Sequence, residues 1–139
     1  MRALTLTALT LLPALSCPAA EKLDVLKNET PIHAPANPQA IAKIPADFHF
    51  IEPGTLSVAT AATNSPPLSL LASDNVTRIG SDPDIARLLA DSLGLKLKLV
   101  SASWEDWPLG ISAGRYDVAM FNIAVTEERK KKFDFATYR

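Results

Sequence analysis

Residues 80–100 read GSDPDIARLLADSLGLKLKLV, and the change of period inside this stretch decides the fold class. Ile85, Leu88, Leu89 and Leu93 fall at offsets 0, 3, 4 and 8, the spacing of one apolar stripe on an α-helix. Asp82 is a suitable N-cap, Pro83 suits the first helical position, and Gly94 suits the residue just past the end. Directly afterwards Leu95 to Val100 alternates apolar with Lys, the period of a strand with one buried face. Its lysine face predicts an edge position or an open side.

The same alternation extends in both directions. Leu56-Ser57-Val58-Ala59 is a strand candidate, ended by the small polar stretch Thr60 to Ser65 and by Pro66-Pro67. Trp104 to Ala113 predicts a short helix, broken near Pro108 and closed by Gly114. Asp117 to Phe121 is a third strand, apolar nearly throughout, as expected for a strand covered on both faces. Thr126 then opens another short helix. Strand, helix, strand, helix, strand, helix is the order of a mainly parallel α/β sheet with flanking helices.

The chain has 139 residues, and 14 Lys and Arg stand against 15 Asp and Glu, for a net charge of −1. With no basic excess, nothing points to nucleic acid as a partner. Lys130-Lys131-Lys132 is the one charge cluster, and after Glu127 and Glu128 it reads as a solvated helix face. At the start, Met1-Arg2 precedes the apolar run ALTLTALTLLPALS, and small residues follow at Ala19 and Ala20. That pattern predicts a cleaved secretory signal over residues 1–20, and so a periplasmic location. A short membrane anchor and a lipoprotein whose lipidated N-terminus is Cys17 are the alternatives. Cleavage after Ala19 or Ala20 removes Cys17, the single cysteine, so the mature fold would need no disulfide and has no cysteine metal site.

Residues 21–53 carry Pro31, Pro35, Pro38, Pro45 and Pro53 without a sustained apolar period. They read as a Pro-rich arm, extended or loosely docked, ahead of the domain at 54–139. His33 and His49 both fall in this arm, where surface or packing roles outweigh a metal site, and no cofactor or metal is expected.

Ligands of open α/β sheets bind outside the carboxyl ends of the strands. Two segments leave such ends here, Thr60 to Ser69 and Asn122 to Arg129. In the second, Thr126 caps a helix start, Arg129 follows within a turn and can hold a carboxylate bidentately, and Asn122 stands at the strand mouth. Together they make a site for a small anion. Read alone, Arg129 is better explained as a surface arginine that neutralises Glu127 and Glu128.

Four segments in register resemble the first lobe of the family 3 periplasmic solute-binding proteins, the amino-acid receptors of ABC importers. Gly54 to Thr60 is similar to the family's first strand, with Pro66-Pro67 following at the usual place. Gly80 to Ala86 resembles the signature that opens its first helix, and Trp104 through Asp117 the stretch before its third strand. Asn122 through Ala136 resembles its Thr-x-Thr-x-Glu-Arg-x-x-x-x-Asp-Phe-Ser block. The resemblance covers about residues 54–139 and implies a lobe of the type II periplasmic-binding-protein fold. It implies that Arg129 binds the ligand's α-carboxylate, that Thr126 caps its helix, that Asn122 lines the mouth, and that the loop from Asn64 and Ser65 to Pro67 walls the pocket.

Three positions depart from the family pattern. Ala124 stands where a hydroxyl residue would help hold the carboxylate, a loss of about 1–3 kcal/mol if nothing replaces it. Ser65 replaces the aromatic residue before the proline pair, and Ser81 replaces a phenylalanine. Family members also continue into a hinge and a second lobe, so the chain reads as a truncated lobe, expected to bind no tighter than millimolar by itself. The function implied is a non-catalytic substrate-binding component of an ABC importer, partnered by a membrane permease, for amino acids or related small carboxylates. A dehydratase of prephenate-like acids on the same fold is the enzymatic alternative, and a ligand-sensing module of a larger membrane protein is another.

Overall fold

The arrangement grows around β1 (Thr55–Ala61), whose residues Thr55 to Thr60 are all buried. The structure, a computed structural model, describes residues 29–137, so the expected signal at 1–20 lies outside the described residues. β4 (Lys96–Ala102) and β5 (Val118–Met120) flank β1 in parallel, giving the order β4-β1-β5. Val58 sits opposite Leu99 on one side and Val118 on the other. Between β1 and β4 the chain makes a two-stranded antiparallel hairpin, β2 (Leu70–Leu71) and β3 (Arg78–Ile79), and the helix α2 (Ser81–Ser92). The hairpin is too short to leave a periodic trace in the sequence. Its turn is stapled by the Asp74 carboxylate, which accepts from the amides of Val76 and Thr77.

Two apolar clusters lie on opposite faces of the sheet. Leu56 and Val58 point to one face and pack with Ala86 and Ala90 of α2 and with Met120. Ala59 points to the other and packs with Trp107, Tyr116 and Phe121. Burying Leu56 and Val58 contributes roughly 1.5–3 kcal/mol each. β1, not β5, is thus the strand covered on both faces; Val118 and Ala119 of β5 are only half-buried. β4 takes the edge expected of it, with Lys96 and Lys98 exposed.

α2 differs in detail from its predicted form. It starts at Ser81 after Gly80, whose φ of 116° is open to glycine and strained for other residues. Asp82 is not the cap: it lies within the first turn, 2% exposed. The first amides are taken instead by backbone carbonyls of the preceding loop, Ser81 N–H by Pro67 and Asp82 N–H by Leu68. Gly80 is pressed so closely on those carbonyls that a β-carbon would collide with them. The buried face centres on Ala86 and Ala90 while Leu89 is 39% exposed, because small residues bring the helix close to the sheet. Gly94 ends the region with φ 68°, as the sequence predicts.

α3 (Trp107–Ser112) is shorter than expected, and Pro108 opens it rather than breaking it. A proline in the first turn gives up an amide that has no helical partner anyway. The described part of the arm, residues 29–53, is docked on the lobe by hydrogen bonds. Asn37 accepts from the amides of Gln39 and Ala40 and so caps a single helical turn, α1 (Pro38–Ile41), with Pro38 at its start. Its Asn37 amide donates to Ser92 O at 2.8 Å, Ala34 N–H to Asp91, and Ile51 N–H to Asp117.

Candidate functional site

Three strand ends meet at the mouth of the sheet, after Ala61, Ala102 and Met120. Leaving β5, Asn122 adopts φ 57°, a left-handed conformation that asparagine tolerates better than most residues. The reversal sends the chain into an extended run that ends at Thr126. Thr126 caps α4 (Glu127–Lys130): its backbone is extended, and its hydroxyl accepts from Arg129 N–H at 3.2 Å.

The cap fixes where Arg129 starts, and its side chain then turns back over the mouth. Its Nη1 donates to the carbonyl of Ala124 at 2.8 Å. The guanidinium carbon lies 5.6 Å from the ring centroid of Trp104 and 5.6 Å from that of Trp107. Both distances are within cation–π range, where each contact stabilises by about 0.5–1 kcal/mol at an exposed site. Glu127, the acid nearest the cap, pairs with Lys130 at 2.8 Å, and none of the ion pairs found among the described residues includes Arg129. The cation is oriented but not neutralised.

Trp107 is 2% exposed and tilts against Phe133, while Trp104 is 47% exposed. Trp107 is anchored by its own carbonyl, which accepts from the Tyr116 hydroxyl at 3.0 Å. The Tyr116 ring in turn lies flush on Gly110, where any side chain would strike it. Burial pushes the Tyr116 phenol above its ordinary value. An open cleft of about 560 Å³ runs beside Arg129 between α3 and α4, floored by Trp107, Leu109 and Phe133.

Of the six residues singled out in the sequence, Thr126 and Arg129 line this cleft. Ala124 touches Arg129 through its carbonyl, so the backbone at this position orients the arginine even though the side chain offers no hydroxyl. Asn64, Ser65 and Asn122 lie outside the cleft lining. The Asn64 side chain accepts from Leu71 N–H, and the Ser65 backbone amide donates to Ser69 O, so both hold the shape of the first loop. Arg78 ties that loop to the mouth by donating to Ala62 O and Ser69 Oγ. Sequence reasoning missed the indoles as neighbours of Arg129. Their one legible signal is that the chain's two tryptophans both fall just after an alternating strand. Among the described residues no group of His, Cys, Asp and Glu is arranged to hold a metal, and no helix is long and apolar enough to cross a membrane.

Residues 56–139 match the model of the bacterial extracellular solute-binding proteins, family 3. The L-cystine-binding protein TcyJ of Escherichia coli K12 is 34% identical over 86 residues, 62% of this chain and 32% of that protein. The cyclohexadienyl dehydratase of Pseudomonas aeruginosa is 34% identical over 87 residues, 63% of this chain and 32% of that enzyme. The chain therefore spans about a third of the length of these relatives. Among solved structures, the arginine-bound form of domain 1 from TmArgBP superposes with a TM-score of 0.52 at 29% identity, covering 56% of this chain and 60% of that one. The parallel sheet with flanking helices is a lobe of the type II periplasmic-binding-protein fold.

Proposed function

We propose, because the chain belongs to the bacterial extracellular solute-binding proteins, family 3, that its lobe binds an amino acid or related small carboxylate at Arg129. The protein it represents would work in the periplasm, handing that solute to the membrane permease of an ABC importer. The observation that carries the reading is the state of Arg129. An arginine at the mouth of a parallel sheet is held by a carbonyl and two indoles and, among the described residues, stands outside the ion pairs. A carboxylate arriving there gains a charge-assisted, bidentate hydrogen bond. Thr126 serves by fixing the helix start, and Asn122 by turning the chain at the mouth. Asn64 and Ser65 hold the loop on the side of the first strand.

A single lobe is a reasonable object for the test, since domain 1 of TmArgBP has been solved with arginine bound. Titration of the chain with L-arginine, L-glutamine and L-cystine should give a saturable signal for at least one of them, in the millimolar range. Arg129→Ala should abolish it while the circular-dichroism spectrum of the folded lobe is retained. Equal affinity in that variant would remove Arg129 from the site.

A second reading, a dehydratase, is favoured by the similarity to the Pseudomonas aeruginosa enzyme. It requires an acid or base beside the clamp, and Glu128 is the carboxylate that lines the same cleft as Arg129. Turnover of prephenate by the chain, lost in Glu128→Gln, would establish it over the receptor.

A further inference from the structure

We propose that Trp104 and Trp107 are positioning residues for Arg129, a two-indole cradle that sets the direction of the guanidinium in place of a counter-ion. The proposal rests on the reading of Arg129 as the carboxylate clamp. A buried or half-buried arginine is usually aimed by an acid, which also cancels the charge that a ligand carboxylate would use. Here the aiming groups are neutral. The Ala124 carbonyl takes one N–H, and the guanidinium carbon lies over both indole rings. The rings stand 6.5 Å apart and tilted by 60°, so they open a wedge rather than a parallel slot, and the guanidinium carbon is equidistant from both. That geometry limits rotation of the side chain, and a single one of its N–H groups is taken by the Ala124 carbonyl.

The cradle is itself fixed from below. Trp107 packs on Phe133 with centroids 5.2 Å apart, its carbonyl holds the Tyr116 hydroxyl, and Tyr116 closes over Gly110. Trp104 has no such support and is half in solvent. Trp107 is therefore the rigid wall, and Trp104 the adjustable one. The exposed indole also supplies an aromatic surface at the mouth, where the first-strand loop offers only Ser65.

Because the chain has two tryptophans and both touch Arg129, tryptophan emission reads this corner alone. In the ligand-free protein Arg129→Ala should shift the emission, since both rings lose a cation, while Lys130→Ala should leave it unchanged. Against L-arginine, L-glutamine and L-cystine, Trp104→Leu should weaken binding about fivefold or more, and Trp104→Phe should restore it to within about twofold. Both variants should melt within about 2 °C of the parent, because Trp104 is outside the buried core. Parental affinity in Trp104→Leu, with binding lost in Arg129→Ala, would overturn the cradle and leave the clamp standing. Unchanged emission in ligand-free Arg129→Ala would also overturn the cradle. If none of the three solutes binds, or if Arg129→Ala binds like the parent, the clamp falls and the cradle with it.

Discussion

The two ends of the parallel sheet treat charge in opposite ways. At the base, where strands begin, carboxylates are committed to backbone amides. Asp117 accepts from Ser57 N–H at 2.8 Å and Ile51 N–H at 2.9 Å, and also from the Ser57 hydroxyl. Asp91, at the end of α2, accepts from Ala34 N–H at 3.1 Å and faces His33 at 2.8 Å. At the mouth, where strands end, the charges are cations on neutral partners: Arg78 donates to Ala62 O and Ser69 Oγ, and Arg129 is held by a carbonyl and two rings. Hydrogen bonds between a carboxylate and amides hold the fold, whereas a cation left outside ion pairs is available to something else. The contrast separates an end whose charges hold the fold from the end where the proposed binding site lies.

Variants at the base should lose stability and keep the properties of the mouth. The largest effect is expected for Asp117→Ala, which leaves the amides of Ser57 and Ile51 without their acceptor at the point where arm, β1 and β5 join. A loss of about 3 kcal/mol is expected, read from chemical denaturation, with native tryptophan emission below the transition. A change confined to emission, with no loss of stability, would erase the distinction between the ends. Thr126→Ala should cost about 1 kcal/mol, the usual value of an N-cap. Because this cap sits at the mouth, it should also shift the emission of the tryptophans through Arg129, and denaturation followed by fluorescence would show both.

The smallest effect concerns pH. The hydrogen bond from Ala34 N–H, followed by that from His33, holds the Asp91 carboxyl below its ordinary value. A group lowered in the folded state stabilises above its unfolded pKa and loses that contribution as pH falls through the folded one. The arm's contact with α2 should therefore be fully present above the ordinary aspartate value of about 4 and weaken below it. Hydrogen exchange at Ala34 should speed up in that acid range in the parent protein. In Asp91→Asn it should be fast throughout, and identical profiles for the two would show that Asp91 does not hold the arm.

Much of this architecture is legible in the chain because it rests on local periodicity. The switch from the 3.6-residue spacing of α2 to the alternation of β4 is visible within residues 80–100, and so are Gly94 as a helix stop and Thr126 as a helix start. What escaped depends on segments far apart in sequence. Asp82 looks like a cap because nothing nearby shows that Pro67 and Leu68 will present their carbonyls to the first turn. The arm looks loose because its anchors, Asp91, Ser92 and Asp117, belong to other elements. The site divides in the same way. Arg129 and its cap form a local motif, but Trp104 and Trp107 come beside Arg129 only once β4 and β5 lie on either side of β1.

The position of β1 at the centre of the sheet also bears on how the chain assembles. β4 joins β1 over seven paired residues, β5 over three, and the Ser57–Asp117 contact closes a loop of 60 residues. Lengthening a loop from that of the β1–β4 pair to that of the β1–β5 pair costs only about 0.3 kcal/mol of closure entropy. Loop length hardly distinguishes the two pairings, but ladder length does. β4 gains its pairing from more than twice as many residues, together with the α2 helix between, so β1, α2 and β4 form the self-supporting part of the lobe. β5 then adds to a template already in place, and the segment carrying Arg129 follows it. The segment carrying Arg129 is thus hung from the shorter of the two ladders in the parallel sheet.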